Sequence, residues 1–224
     1  MIAVARSSEK LKELASQYGE DRVGFVAGDV TDSQTAANAV NLAIEKFGHI
    51  DSVVLNAGVL DPVGKIDQVD VDSWKKHFDV NLFSLVDLIQ KSIGHLRKTN
   101  GTVIAVSSGA STSHYSGWYA YGCSKASVNH LIMALAAEED QISAISVAPG
   151  VVNTEMQQDI RDVFSKNMNQ DTAKKFLDLH NNDELLPPLV PATVYANLAL
   201  RGFSKELNGS YLRWNDELLA SYTS

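Results

Sequence analysis

Only one cysteine, Cys123, occurs in the chain. That excludes an internal disulfide framework and a multi-cysteine metal site, and it suits a reducing compartment. Positive charge is also short, with 19 Lys and Arg against 27 Asp and Glu and a formal net charge of -8. Nucleic acid and anionic membrane both call for a concentrated positive surface, so neither is expected as a partner. No run of about 18 apolar residues exists, and the N-terminus lacks the charged-then-apolar layout of a secretion signal. The expected location is therefore cytoplasmic. Internal repeats, low-complexity tracts and a second-domain boundary are absent too. What remains is an ordinary globular composition, 45% hydrophobic and 21% charged over 224 residues. That is enough to bury a substantial core in a single domain spanning 1–224. Small-molecule chemistry is the class these exclusions leave open.

Short β-rich runs alternate with helical patterns along the whole length, as parallel strands joined by right-handed helical crossovers do. The expected fold is α/β, a Rossmann-type doubly wound parallel sheet in three α/β/α layers. Strands are predicted at 2–5, 23–27, 52–55, 102–106, 142–147 and 210–213. Helices are predicted at 9–18, 33–47, about 71–97, 119–138 and 191–200, with Asp32 or Ser33 opening the second. From 153 to 188 the pattern becomes polar helical pieces and loop, where a mobile lid over a substrate is expected. The chain opens directly into the strand at 2–5, with no preceding strand, Gly-rich turn and helix. In dinucleotide folds that first βα unit supplies the N–H groups and helix N-terminus that hold a pyrophosphate. The sheet is thus expected to lack its first βα unit and to show unpaired strand edges. One reading is accordingly a truncated remnant with impaired cofactor binding and a non-catalytic or interaction role.

The strongest chemical constellation is Ser108, Tyr121 and Lys125. Tyr121 and Lys125 lie four positions apart, so on a helix they share a face and the ammonium can approach the phenol. A free phenol titrates near 10, and bringing it to about 7 takes roughly 4 kcal/mol of preferential stabilisation of its anion. A nearby amine contributes to that and favours phenolate. Ser108, at a strand's C-terminal end, is placed to donate a hydrogen bond to a substrate oxygen as charge develops. No Gly-x-Ser-x-Gly elbow accompanies it, which argues against a serine hydrolase.

Five motifs then fall in a recognisable order. Tyr121-Gly122-Cys123-Ser124-Lys125, with Ser108 upstream, resembles the Tyr-x-x-x-Lys active site of the short-chain dehydrogenase/reductase family. Asn56-Ala57-Gly58 resembles that family's Asn-Ala-Gly, and Asp79-Val80-Asn81 its helical Asn. Gly28-Asp29-Val30 is similar to the segment whose Asp and following residue contact adenine, and Pro149 to Thr154 to its Pro-Gly turn. The resemblance runs from the second family strand to the last. It implies that Tyr121 is the proton donor or acceptor, Ser108 the polarising group, Lys125 the electrostatic tuner that also reaches the ribose, and Asn81 the anchor of a proton-relay water. It also implies cofactor contacts from Asn56, Ala57, Gly58, Asp29, Val30, Pro149, Gly150, Val152 and Thr154. His114, Tyr115, Trp118 and Met156 fall where the family lines its substrate pocket, and an aromatic set suits a flat or aromatic ketone. Within the family, the runs around 107–125, 148–156 and 208–216 look most like the benzil reductase group and its neighbours around sepiapterin reductase. No metal is expected. In such folds an acid at the end of the second strand holds the ribose of NAD, and a base there accommodates the 2'-phosphate of NADP. The residues here are Ala5-Arg6-Ser7, so Arg6 points to NADP(H), with NAD(H) disfavoured, and to reduction. The family commonly pairs through the helices predicted at 71–97 and 119–138, implying a homodimer or homotetramer.

Overall fold

A computed structural model describes all 224 residues. Its elements alternate: β1 (Ile2–Ala5), α1 (Ser8–Tyr18), β2 (Gly24–Ala27), α2 (Ser33–Phe47), β3 (Ser52–Leu55) and α3 (Val71–Phe78). A π-helical turn, Asp79–Phe83, leads into α4 (Ser84–Thr99). Then follow β4 (Thr102–Val106), α5 (Tyr119–Glu138), β5 (Ser143–Ala148), α6 (Glu155–Asp159), α7 (Gln170–Asn181), α8 (Leu189–Arg201) and β6 (Tyr211–Arg213). The α/β doubly wound expectation holds. All strand pairs are parallel, in two sheets ordered β1-β2 and β3-β4-β5-β6. β1 pairs only with β2, and β3 is joined only to β4, so each keeps one free edge.

Local chemistry sets the boundaries. The Asp32 carboxylate accepts from the Gln34 N–H and caps α2, satisfying a donor that the first helical turn leaves open. Asn100 adopts the left-handed conformation that ends α4, and Gly101 follows, packed against the Asp51 carbonyl where a side chain would collide. β4 and β5 are apolar on both faces because helices cover both. Alternate residues of β4 point oppositely: Val103 and Ala105 pack with Leu96 of α4 and Ile132 of α5, while Ile104 packs with Val194 and Leu198 of α8. Each such fully buried aliphatic side chain contributes about 1.5–3 kcal/mol.

Two departures from expectation stand out. The helix expected as one piece over 71–97 is broken at 79–83 by the π-helical turn, a widening that turns Asn81 inward. The C-terminal residues Glu217–Tyr222, assigned no element from sequence, form a 3-10 helix capped by Asp216. Their apolar signal is too short for periodicity to register.

Candidate active site

Because β3, β4 and β5 run parallel and in register, the segments after them emerge on one rim. Ser108 follows β4 and accepts from the Ala110 N–H at 3.1 Å, capping a short 3-10 turn. Its carbonyl is gripped by the Ser111 hydroxyl at 2.6 Å and the Tyr211 phenol at 3.0 Å. A second clamp runs from the Ser107 hydroxyl to Asn129 Oδ1 at 2.6 Å, and from Asn129 Nδ2 to Ser111 at 2.9 Å. The serine turn is thereby tied to α5, the helix that carries Tyr121 and Lys125.

Tyr121 lies in the first turn of α5 with its ring 8% exposed. Trp118 meets it edge-on at 5.6 Å and His77 at 6.2 Å between ring centres. Lys125, one turn on, is 3% exposed; its Nζ sits 5.9 Å from the centre of the Tyr121 ring and donates to the Val106 carbonyl at 2.8 Å. Burial pushes the Tyr121 phenol up, with the Ser108 hydroxyl pulling the other way. Burial drives the Lys125 amine down to about 8. Burial thus opposes the phenolate that the four-residue spacing favours. The amine approaches the centre of the ring and a backbone carbonyl, and desolvation is the largest influence on the phenol.

Asn81 is fully buried, and its amide clasps the backbone of Val59, Oδ1 accepting from the N–H at 2.8 Å and Nδ2 donating to the carbonyl at 2.9 Å. Beside it Gly58 leaves a gap: a methyl group there would lie 3.5 Å from Lys125 Nζ and 3.6 Å from Asn81 Oδ1. Ser108, Tyr121, Lys125, Asn81 and Gly58 thus converge. The Lys125 amine spends one of three N–H donors on Val106, leaving two toward this gap, a donor set that fits vicinal hydroxyls such as those of a ribose.

The other expected cofactor contacts form two outlying groups. Arg6 is exposed at the end of β1, near Asp29 after β2. Two hydrogen bonds from Thr31, with Arg6 adding a weaker pull, hold the Asp29 carboxyl below its usual range. Val30 lines an open cleft with Asp79 and Phe83, and Asn56 and Ala57 lie at the rim after β3. Pro149 and Gly150 turn the chain out of β5; Gly150 has φ +80, and a side chain there would strike Leu186 and Trp214. Val152 then bridges to Leu186, and Thr154 is exposed just before α6. Lys10 of α1 reaches across to Glu155 at 2.8 Å, closing these groups onto each other.

Of the four residues expected against a substrate, Tyr115 and Trp118 stack at 4.9 Å, Met156 packs on the same cluster, and His114 lies exposed. Sequence reasoning missed Phe176 of α7, which stacks on Trp118 at 5.2 Å. It also missed His77, which touches the Asn81 amide. Helical spacing, four residues before Asn81, was the available signal for His77; Phe176 offered none beyond its amphipathic helix.

A family model described as short chain dehydrogenase matches residues 1–163. An uncharacterized oxidoreductase of Saccharomyces cerevisiae, YIR035C, is 48% identical over 99% of this chain and 87% of its own length. The benzil reductase ((S)-benzoin forming) IRC24 of the same yeast is 42% identical over 98% of this chain and 87% of its own. The crystal structure of YIR035C superposes with a TM-score of 0.98 at 47% identity, covering 100% of this chain and 88% of that one.

Proposed function

The chain belongs to the short-chain dehydrogenase family, and from that premise we propose that it is an NADPH-dependent carbonyl reductase acting on ketones and vicinal diketones, aromatic ones of the benzil type included. The observation that carries this reading is a chain of neighbours: Lys125 and Asn81 border the space beside Gly58, the Tyr121 ring lies 5.9 Å from the Lys125 amine, and the Ser108 hydroxyl faces the Tyr121 phenol. A nicotinamide cofactor, with Lys125 positioned for its ribose hydroxyls, would supply the hydride that the carbonyl carbon takes up. Tyr121 gives its hydroxyl proton to the carbonyl oxygen, and Ser108 donates a hydrogen bond to that oxygen as negative charge grows on it. Lys125 stands behind the phenol as a buried cation that stabilises the phenolate left by the transfer. A phenol held high before the reaction keeps its proton until the substrate oxygen calls for it, which suits the reducing direction.

Three further features support the finer assignment. Arg6 at the end of β1 offers charge to a 2'-phosphate. The Tyr115 and Trp118 rings beside the phenol suit a flat substrate. Trp118 Nε1 is buried without a partner, a donor available to the second oxygen of a diketone. The reading includes a single domain, a cytoplasmic location and a homodimer or homotetramer.

Absorbance at 340 nm tests it directly. Full-length protein with NADPH and benzil is expected to oxidise the cofactor and yield benzoin; a protein that binds NADPH yet reduces neither benzil nor simpler ketones overturns the reading. Arg6→Glu is expected to lower the NADPH over NADH preference at least about tenfold, the effect of losing one charged phosphate contact. An unchanged ratio removes Arg6 from the cofactor site.

A further inference from the structure

His77 sits near the end of α3, is 1% exposed, and contacts three separate pieces of the active site. Its Nδ1 lies 2.7 Å from the Asp61 carbonyl oxygen on the loop after β3. A carbonyl only accepts, so Nδ1 must carry the hydrogen and Nε2 must present a lone pair. Two groups face that lone pair: Asn81 Nδ2 at 2.9 Å and the Ser124 hydroxyl at 3.0 Å. Ser124 also has the Tyr121 carbonyl within reach at 2.9 Å, to which its own hydrogen goes. Asn81 Nδ2 has three acceptors within reach, and its two hydrogens go to the nearer pair, His77 Nε2 and the Val59 carbonyl at 2.9 Å each, with the Ser124 oxygen farther off at 3.3 Å. Every donor in the set then has a partner under this assignment. Turning the Asn81 amide over breaks that assignment, since its oxygen would face the His77 lone pair and the Val59 carbonyl together.

We infer that His77 is a positioning residue for the reaction: its Nε2 lone pair acts with the Val59 N–H and carbonyl to fix the direction of the Asn81 amide, and Asn81 in turn holds the Gly58–Val59 loop against the Lys125 amine. The inference rests on the reductase reading of the site. It goes beyond a well-satisfied core histidine because the groups it orders are the walls of the gap. Asn81 Oδ1 and Lys125 Nζ both border the space beside Gly58, and Ser124 lies one residue before Lys125 on α5. Other titratable groups near the ring are few. Burial is the largest influence against a second proton on it, the Asp61 carbonyl and carboxylate favour one, Lys125 opposes it, and Tyr121 meets it edge-on.

Two substitutions separate the two sides of the ring. In His77→Asn the amide nitrogen can replace Nδ1 and keep the Asp61 bond, but no acceptor remains for Asn81. In His77→Gln the longer side chain can bring an amide oxygen to the Nε2 position and keep that acceptor, while the Asp61 bond is lost. With NADPH and a carbonyl that wild type reduces, kcat is expected to fall at least about tenfold in His77→Asn and to stay within about threefold in His77→Gln, because a small misplacement near the reacting groups is amplified in rate. Equal losses that track melting temperature, or no loss in His77→Asn, overturn the inference. Nitrogen chemical shifts of His77 in the wild-type protein supply a check that needs no variant. A neutral ring protonated at Nδ1 near pH 7 is expected, and protonation at Nε2 overturns the proposal even if both variants fail to fold. A wild type that binds NADPH but reduces no carbonyl instead sinks the reductase reading, whatever the tautomer.

Discussion

A lysine amine taken out of water is a cost the fold carries for chemistry, and at Lys125 the cost has a sign and a pH window. Its folded value of about 8 lies below the ordinary 10.5. The unfolded chain therefore binds this proton more tightly than the folded one. Below pH 8 both states are protonated and the full penalty applies, and it disappears as pH rises from about 8 through about 10.5. Two and a half pKa units correspond to about 3 kcal/mol, and the orphaned Val106 carbonyl in a methionine variant returns about 1–2 kcal/mol of that. Lys125→Met is thus expected to melt higher than wild type at pH 7 by the equivalent of about 1 kcal/mol, with the order reversing above about pH 10 where only the lost Val106 bond is left, while oxidoreductase activity drops by two orders of magnitude or more. Calorimetry across pH, paired with initial rates, checks both halves; a variant that is less stable at pH 7 contradicts the burial argument. At this scale the sequence was informative where function follows local spacing. Tyr121 and Lys125 declare themselves by one helical turn. His77 did not, because its importance comes from Asp61, Asn81 and Ser124, which only the fold assembles.

Among elements, the clearest lesson comes from the helix expected over 71–97. Its apolar periodicity runs through the whole stretch, so nothing in the pattern marks the π-helical turn at Asp79–Phe83. The widening is a response to tertiary demand, since Asn81 must reach Val59 on a different segment. By contrast, α2, β3, β4 and α5 match their predicted limits, because caps and turns at Asp32, Asn100 and Gly101 are written in the chain next to them. The segment between β5 and α8 lies between these extremes. Its polar helical pieces were legible, but the inward Phe176 was not. Phe176 covers Trp118, and Trp118 abuts the Tyr121 ring. Phe176→Ala is expected to enlarge the space over the phenol and to raise kcat/KM for bulky aromatic ketones relative to small aliphatic ones by about three- to tenfold. A competition assay with one ketone of each kind reads the ratio. An unchanged ratio makes the ring a lid fastener without influence on selectivity.

For the whole molecule, composition and strand–helix alternation sufficed to specify a parallel α/β architecture. How those sheets are held was not legible. α2 packs on β1 and β2 and also meets α4, where Lys91 bonds both Asp87 and the Ser33 hydroxyl. The surface leaves Phe83, where the π-helical turn enters α4, and Met133 of α5 about half exposed, at 55% and 49%. Large apolar side chains on those helices suit a self-associating face. Light scattering is expected to give a dimer or tetramer, and Phe83→Lys with Met133→Lys to shift it to smaller species without loss of the folded spectrum. A monomeric wild type rules out this face as the site of assembly.

The excursion from Asn153 to Glu184 leaves and rejoins the body through feet that are stitched together. The Leu186 N–H bonds the Val151 carbonyl at 2.9 Å, and the Asn153 N–H bonds the Leu186 carbonyl at 2.9 Å. A loop whose ends are fastened to each other can change its exposed residues with little disturbance to its host, provided that the inward Ile160 and Phe176 are kept. The stretch can therefore serve as an interchangeable cassette: chimeras carrying a relative's cassette between these stitches should keep the proton chemistry of the recipient and take on the substrate range of the donor.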